Sequence, residues 1–277
     1  MKTVLLPCGE RVSALGQGTW AMGDDPRSRA DEIATLRRGI ELGLTLVDTA
    51  EMYGDGRAEQ LVGEAIAGRR GDVFLVSKVY PHNASHRAMP KSCEASLRRL
   101  GVETIDLYLL HWQGSVPLAE TVEAFEALRR AGKIRHWGVS NFDTAAMQAL
   151  LRTPGGDAAQ ANQVLYNLGE RGTEWDLQPW LHARGVPVMA YSPFDQGRLL
   201  RNAALKAFAK ESGMAPAQVA MAWLLAQEGV IAIPKSGHPE RLREHAAAME
   251  RALSAQELEA LDGIFPPPRE ARPLAML

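Results

Sequence analysis

The stretch VDTAEMYGDG, residues 47–56, ends an apolar run on Asp48 and reaches Tyr53 five residues later, with Gly54 and Gly56 beyond the phenol. Two later apolar runs also end on reactive groups. VFLVSKV (73–79) places Lys78 near its end, and IDLYLLH (105–111) closes on His111. An acid, a phenol, an ammonium and an imidazole together can move a proton. A free phenol has a pKa of ~10 and is a poor proton donor near neutrality. A nearby ammonium favours phenolate and lowers that value. Lys78 is the candidate ammonium, and Asp48 the group that keeps it charged and oriented. Neutral His111 is a candidate hydrogen-bond donor to a substrate carbonyl oxygen. Tyr53 is then a general acid whose pKa is expected to be drawn down toward the working pH. The glycines free the loop to bring the phenol back over the run's end. Each residue also has a bland role: Lys78 snorkels from a strand end, His111 is a satisfied core histidine, and Asp48 caps a turn. Three successive runs delivering their polar group at the same end favour the chemical role, since titratable groups cluster at functional sites.

Something must hold those ends together. The chain repeats a β-rich run, a short loop and a helical pattern. The β-rich runs are 17–20, 44–48, 73–79, 105–111, 134–140, 159–166, 187–192 and 230–236. Helical patterns with apolar residues at three- and four-residue steps lie between them, as at 29–42, 58–68, 117–132 and 216–227. This order implies an α/β fold of parallel strands closed into a single-domain (β/α)8 TIM barrel over residues 1–277. An open doubly wound sheet is the alternative, and the G-x-G-x-x-G fingerprint usual after its first strand is missing. Residues 1–15 are expected to form a hairpin over the barrel floor, and 254–277 an added helix and a Pro-rich tail. In such a barrel every strand delivers its C-terminal residues to one rim. That rim would also collect Ser140, Asn141, Gln163, Tyr166, Tyr191, Ser192, Lys235 and Ser236.

The bulk properties agree with a globular protein with a large core. Of 277 residues 46% are hydrophobic and 23% charged, and the net charge is −2. No long run of one sign invites nucleic acid or an anionic membrane. No uninterrupted apolar stretch approaches the ~20 residues of a membrane span, and the N-terminal apolar run is too short for a signal-peptide core. Cys8 and Cys93 show neither metal-ligand spacing nor a disulfide framework, so a reduced cytoplasm is expected.

The segments VDTAEMYGDGRAEQLVGEAI, LVSKV, IDLYLLHW, GKIRHWGVSNF, AYSPF and IPKSGHPERLREH resemble the aldo-keto reductase family in order and spacing. The resemblance runs from about residue 16 to 250 and is nearest to bacterial members that reduce small aldehydes such as methylglyoxal. It implies a barrel that binds extended NADPH without a Rossmann domain and reduces aldehydes and ketones, with no metal. It places the catalytic residues on Asp48, Tyr53, Lys78 and His111. Retention of His111 resembles carbonyl reductases rather than steroid double-bond reductases, which carry Glu there. By the same resemblance Ser140, Asn141 and Gln163 meet the nicotinamide carboxamide, and Tyr191 stacks on its ring. Ser192, Pro193, Phe194 and Gly197 follow the pyrophosphate. Lys235, Ser236, Gly237 and Arg241 surround the 2′-phosphate, a dianion that suits two cations and a hydroxyl. Gly18, Thr19, Trp20 and Asp48 complete the cofactor side, with Glu244 and His245 near the adenine; members often have Asn where His245 stands. Trp20, Tyr53, His111 and Trp112 are the expected substrate contacts, with Phe194 a further candidate. The loop Gln113–Val116 and the twelve residues after Phe265 are short, so an open mouth and small electrophilic substrates are expected. A monomer is expected rather than an oligomer. Two other functions stay open: a cofactor-binding regulatory subunit with slow turnover, and a barrel hydrolase or lyase that needs no nicotinamide.

Overall fold

The computed structural model describes residues 2–277; Met1, part of the expected floor hairpin, lies outside the described residues. Strands β1 (Thr3–Leu5) and β2 (Arg11–Ser13) pair antiparallel, with Val4 opposite Val12. The barrel strands are β3 (Gln17–Gly18), β4 (Leu46–Asp48), β5 (Phe74–Val79), β6 (Ile105–Leu110), β7 (Ile134–Ser140), β8 (Asn162–Leu165), β9 (Val188–Tyr191) and β10 (Val230–Ala232). They form an 8-stranded sheet in which neighbours in sequence are parallel neighbours in space.

The sheet closes on itself. Ala232 N donates to Ala14 O at 2.9 Å, Gly16 N to Ala232 O at 2.8 Å and Gly18 N to Pro234 O at 2.9 Å. This seam excludes the open doubly wound sheet. It also explains Gly18, because a Cβ there would stand 2.8 Å from Ile233 O. Only glycine lets the two backbones approach so closely.

Leu75–Val79 of β5 and all of β6 are buried, as expected for parallel strands covered on both faces. The cover comes from α1 (Arg29–Glu41), α2 (Arg57–Ile66), α3 (Met89–Leu100), α4 (Leu118–Arg130), α5 (Thr144–Arg152), α6 (Leu177–His182), α7 (Ala203–Glu211), α8 (Pro216–Ala226) and α9 (Pro239–Ala247). Helix α2 shows the logic: Ala58, Leu61, Val62, Ala65 and Ile66 recur on one face and are buried. Two helices stand outside the repeat. Helix α7 lies between β9 and α8. Helix α10 (Ala255–Ile264) is the expected added helix, and it opens on a capping box. There Glu257 N donates to Ser254 Oγ at 3.2 Å and Ser254 N to Glu257 Oε2 at 2.8 Å.

Several strands are shorter than the sequence implies. The first ends at Gly18, because Thr19 and Trp20 enter a turn in which Ala21 takes φ 60°. The last ends at Ala232, just before Pro234, which has no N–H for the ladder.

Candidate active site

Strand register sets the site. Asp48 ends β4 and pairs with Val76, while Lys78 pairs with Leu109. All four candidate proton-handling residues reach the rim made by the strand C-termini. Lys78 is fully buried, and its ammonium donates to Asp48 Oδ2 at 2.8 Å, Thr49 O at 2.9 Å and Tyr53 Oη at 3.0 Å. An ammonium has three N–H donors, so all of them are used. The Tyr53 oxygen therefore accepts from Lys78, and its own proton is left to donate elsewhere.

Tyr53 is brought there by a tight reversal. Gly54, Asp55 and Gly56 all have left-handed backbones, at φ 57°, 52° and 87°. A Cβ on Gly54 would lie 2.6 Å from Asp24 Oδ1. The Lys78 Nζ lies 4.8 Å from the Tyr53 ring centre, and the His111 ring stands edge-on to it at 5.8 Å.

The electrostatics correct one expectation. The Tyr53 pKa is raised above 10.0, not lowered. Desolvation outweighs the Lys78 charge, and Asp48 adds to the rise. The phenol thus stays protonated through the neutral range. Burial also disfavours a charged Lys78, but the attraction of Asp48 and Tyr53 and their hydrogen bonds more than offset this, and its pKa is raised. Burial and the Lys78 charge bring His111 down to about 3, so its imidazole is neutral. Its Nδ1 is buried without a protein partner.

The remaining rim residues interlock. Gln163 Nε2 donates to Asp48 Oδ1 at 2.8 Å, so both Asp48 oxygens are engaged. Ser140 Oγ donates to Gln163 O at 2.9 Å. Asn141 Nδ2 donates to His111 O at 3.1 Å, and Tyr191 Oη donates to Asn141 Oδ1 at 3.0 Å. Thr19 Oγ1 donates to Asp48 O at 2.9 Å. Tyr166, which the sequence places on this rim, instead points into the core, where it is fully buried and donates to Glu174 Oε1 at 2.7 Å.

Trp20 is exposed and Trp112 half-buried, its ring 4.9 Å from that of His111. Pro193 is buried, whereas Phe194 and Gly197 are half-buried on the loop after β9. Farther out, Lys235 lies 3.9 Å from the buried Glu32, and Ser236 Oγ donates to His238 O at 3.0 Å. Gly237 is half-buried, and Arg241 and Glu244 are exposed. His245 is buried with its ring 4.9 Å from that of Phe194.

Sequence reasoning missed two acids. Glu51 accepts from Tyr80 N at 2.7 Å and Asn83 Nδ2 at 3.1 Å, fixing the loop whose Tyr80 packs edge-on to Trp112. Glu32 accepts from Gly23 N at 2.9 Å and so ties the Trp20 loop to the Lys235 side. Glu51 sits between Asp48 and Tyr53, which is a usable signal. Glu32 looks like any charged residue of a helix.

One backbone feature marks the same rim. Every described non-glycine residue with positive φ (Ala21, Asp55, Asn141, Ser192, Asp195 and Gln196) lies on a loop that leaves a barrel strand's C-terminal end. Each such conformation costs roughly 1–3 kcal/mol, and such strain gathers at functional sites.

A closed parallel barrel with an acid, a phenol, a lysine and a histidine on one rim defines a class of oxidoreductases. The profile of the Aldo/keto reductase family matches residues 14–265, and the chain belongs to that family. It is 53% identical over 271 residues to methylglyoxal reductase YeaE of Escherichia coli, covering 96% of this chain and 95% of that protein. It is 34% identical to glyoxal reductase of Bacillus subtilis, covering 83% and 82%. A Klebsiella pneumoniae aldo/keto reductase solved in complex with NADP and acetate superposes with a TM-score of 0.97 at 49% identity, covering 100% of this chain and 99% of that one.

Proposed function

We propose that this protein reduces small aldehydes and ketones to alcohols with NADPH, and that Tyr53 is the proton donor. The observation that carries this is the Tyr53 Oη accepting from Lys78 Nζ at 3.0 Å while its own proton stays free. Similarity to a methylglyoxal reductase and to an NADPH-bound Klebsiella reductase supports the substrate class and the cofactor.

The residues present suit a dinucleotide phosphate. The buried polar groups of Ser140 and Gln163 converge with the half-buried Asn141 beside Tyr191. The Lys235 and Arg241 cations lie at the outer end. His245 adds a buried, unpartnered Nδ1, and burial together with the Arg241 charge brings it down to about 4, so this imidazole is neutral. When bound, NADPH supplies a hydride to the carbonyl carbon.

The chain's own residues do the rest. Neutral His111 points a ring N–H at the substrate oxygen and polarises the carbonyl. Tyr53 delivers its proton to that oxygen, and Lys78 steadies the phenolate left behind. Asp48 keeps the ammonium in place. Trp20 and Trp112 flank the opening as apolar walls. The tetrad is complete within one chain, so no partner need supply a reacting group, and action as a monomer is part of this proposal. The two unpaired cysteines, Cys8 and Cys93, favour a reducing compartment.

The test is the loss of NADPH absorbance with a panel of aldehydes, ketones and sugars. Aldehyde-dependent oxidation is expected, strongest with methylglyoxal and aromatic aldehydes. Tight NADPH binding without turnover would instead indicate a regulatory subunit, and conversion of substrate without nicotinamide would indicate a hydrolase or lyase.

A further inference from the structure

The opposite end of the barrel carries a separate cluster of reactive side chains. The turn between β1 and β2 is closed by Gly9 N donating to Leu6 O at 2.9 Å and Leu6 N donating to Glu10 O at 2.9 Å. Cys8 N pins it to the barrel by donating to Gln160 Oε1 at 2.8 Å. This holds the Cys8 thiol beside His136, two residues into β7 and so near its floor end. Cys8 Sγ and His136 Nε2 are 3.7 Å apart, and Glu10 Oε2 is 3.2 Å from the same nitrogen. A thiol, an imidazole and a carboxylate thus lie within 4.8 Å of one another.

We propose that Cys8, Glu10 and His136 form a binding site for a borderline-soft divalent transition-metal ion such as Zn2+, with solvent as the fourth ligand. Zinc takes sulfur at ~2.3 Å and nitrogen or oxygen at ~2.0 Å. Tetrahedral ligand atoms are then on the order of 3.5 Å apart; the Cys8–His136 and His136–Glu10 edges, at 3.7 and 3.2 Å, already match, and the Cys8–Glu10 edge, within 4.8 Å, is the one that would close. Thiolate and carboxylate together neutralise a divalent charge. Thiolate with imidazole selects zinc-like ions over magnesium or calcium. Cys8 is exposed, which leaves an entry side and room for water.

Arg135 is the neighbour that could compete, since its Nη2 lies 2.8 Å from Glu10 Oε2. Its Nη1 is bound to Asp106 Oδ1 at 2.8 Å, so the guanidinium is anchored and orients Glu10, as outer partners orient metal ligands. The ion would fasten the hairpin turn to β7, far from Tyr53, so reductase turnover should not depend on it. The spacing 8, 10 and 136 matches no sequence motif. Only the fold brings these residues together.

The test uses the reduced, metal-stripped full chain titrated with Co2+. One equivalent should bind with a thiolate-to-cobalt charge-transfer absorption, and Zn2+ but not Mg2+ should displace it. Cys8→Ser should abolish that absorption and weaken Zn2+ binding at least ~100-fold, beyond the ~10–100-fold that loss of an outer partner costs. His136→Asn should weaken it comparably, and Cys93→Ala should leave it intact. Retained reductase activity in Cys8→Ser shows that the variant is folded. No charge-transfer band in the wild type, a band that survives Cys8→Ser, or equal displacement by Mg2+ would each overturn the site.

Discussion

The Lys78 ammonium has no spare proton to offer a substrate, because Asp48, Thr49 and Tyr53 take all three of its N–H donors. Proton delivery therefore rests on Tyr53. Tyr53→Phe should lower kcat for carbonyl reduction at least ~100-fold, within the range of general acid catalysis, with NADPH affinity nearly unchanged. Steady-state kinetics beside fluorescence titration of NADPH would show it, and near wild-type turnover would remove Tyr53 from its assigned role. A second residue-scale prediction concerns Arg241. NADH lacks the 2′-phosphate, and hydrogen bonds to charged groups contribute roughly 1.5–3 kcal/mol each. Arg241→Ala should weaken NADPH binding by ~10-fold or more and NADH binding little; equal losses would make Arg241 structural. Asp48, Tyr53, Lys78 and His111 were legible as a group because three strands end in phase. The direction of the Tyr53 shift was not. A sequence shows that an ammonium is near, but not how much water the surrounding fold removes.

At the scale of elements, strand order and most helices follow from periodicity, because buried parallel strands and amphipathic helices leave plain patterns. The seam between β3 and β10 does not. Its hydrogen bonds join Ala14–Gly18 to Ala232 and Pro234, which are remote in sequence and marked only by small residues and a proline. Tyr166 likewise misled, since its place on a strand end does not reveal that its side chain faces the core. Helix α9 carries a consequence for stability. His245 titrates at about 4 in the folded chain against a reference value of 6.5, because burial and Arg241 disfavour its charge. The unfolded chain therefore binds the proton first. The contribution of neutral His245 is fully present above pH 6.5 and is lost as pH falls toward about 4. One such group gives a slope of at most about 1.4 kcal/mol per pH unit. His245→Asn removes this titration, so its unfolding free energy should fall less between pH 6.5 and about 4 than that of the wild type. Urea midpoints across that interval measure the difference. Parallel losses in the two proteins would show that His245 is solvated or already paired.

Over the whole molecule, the tail alters the picture of an open rim. Arg171 binds the end of α10 through Asp262 Oδ1 and Phe265 O, both at 2.6 Å. From that anchor the chain runs past β8 and the start of α5, where Arg272, Pro273, Leu274 and Ala275 enclose a cavity of about 150 Å³ with Asp143, Thr144, Leu165 and Thr173. The backbone of Leu277 then comes up beside the Tyr191 hydroxyl, which donates to Asn141. The tail's twelve residues are expected from the sequence to leave the mouth open, because nothing in the sequence records that Arg171 fixes where the tail begins. The tail thus supplies part of the rim that the Gln113–Val116 loop is too short to build. No hydrogen bond joins the tail to Tyr53 or Lys78 among the described residues, so it should affect binding in the ground state and transition state alike. A chain ending at Phe265 should show KM for methylglyoxal raised by ~10-fold, a loss of about 1.4 kcal/mol, with kcat changed less than about threefold. Bulky aromatic aldehydes, which need more room at the opening, should lose less and so gain in relative kcat/KM. Both constants measured for methylglyoxal and for a substituted benzaldehyde decide the matter. A fall in kcat with KM unchanged would mean that the tail acts on the reacting groups through Tyr191 and Asn141 instead of on the opening.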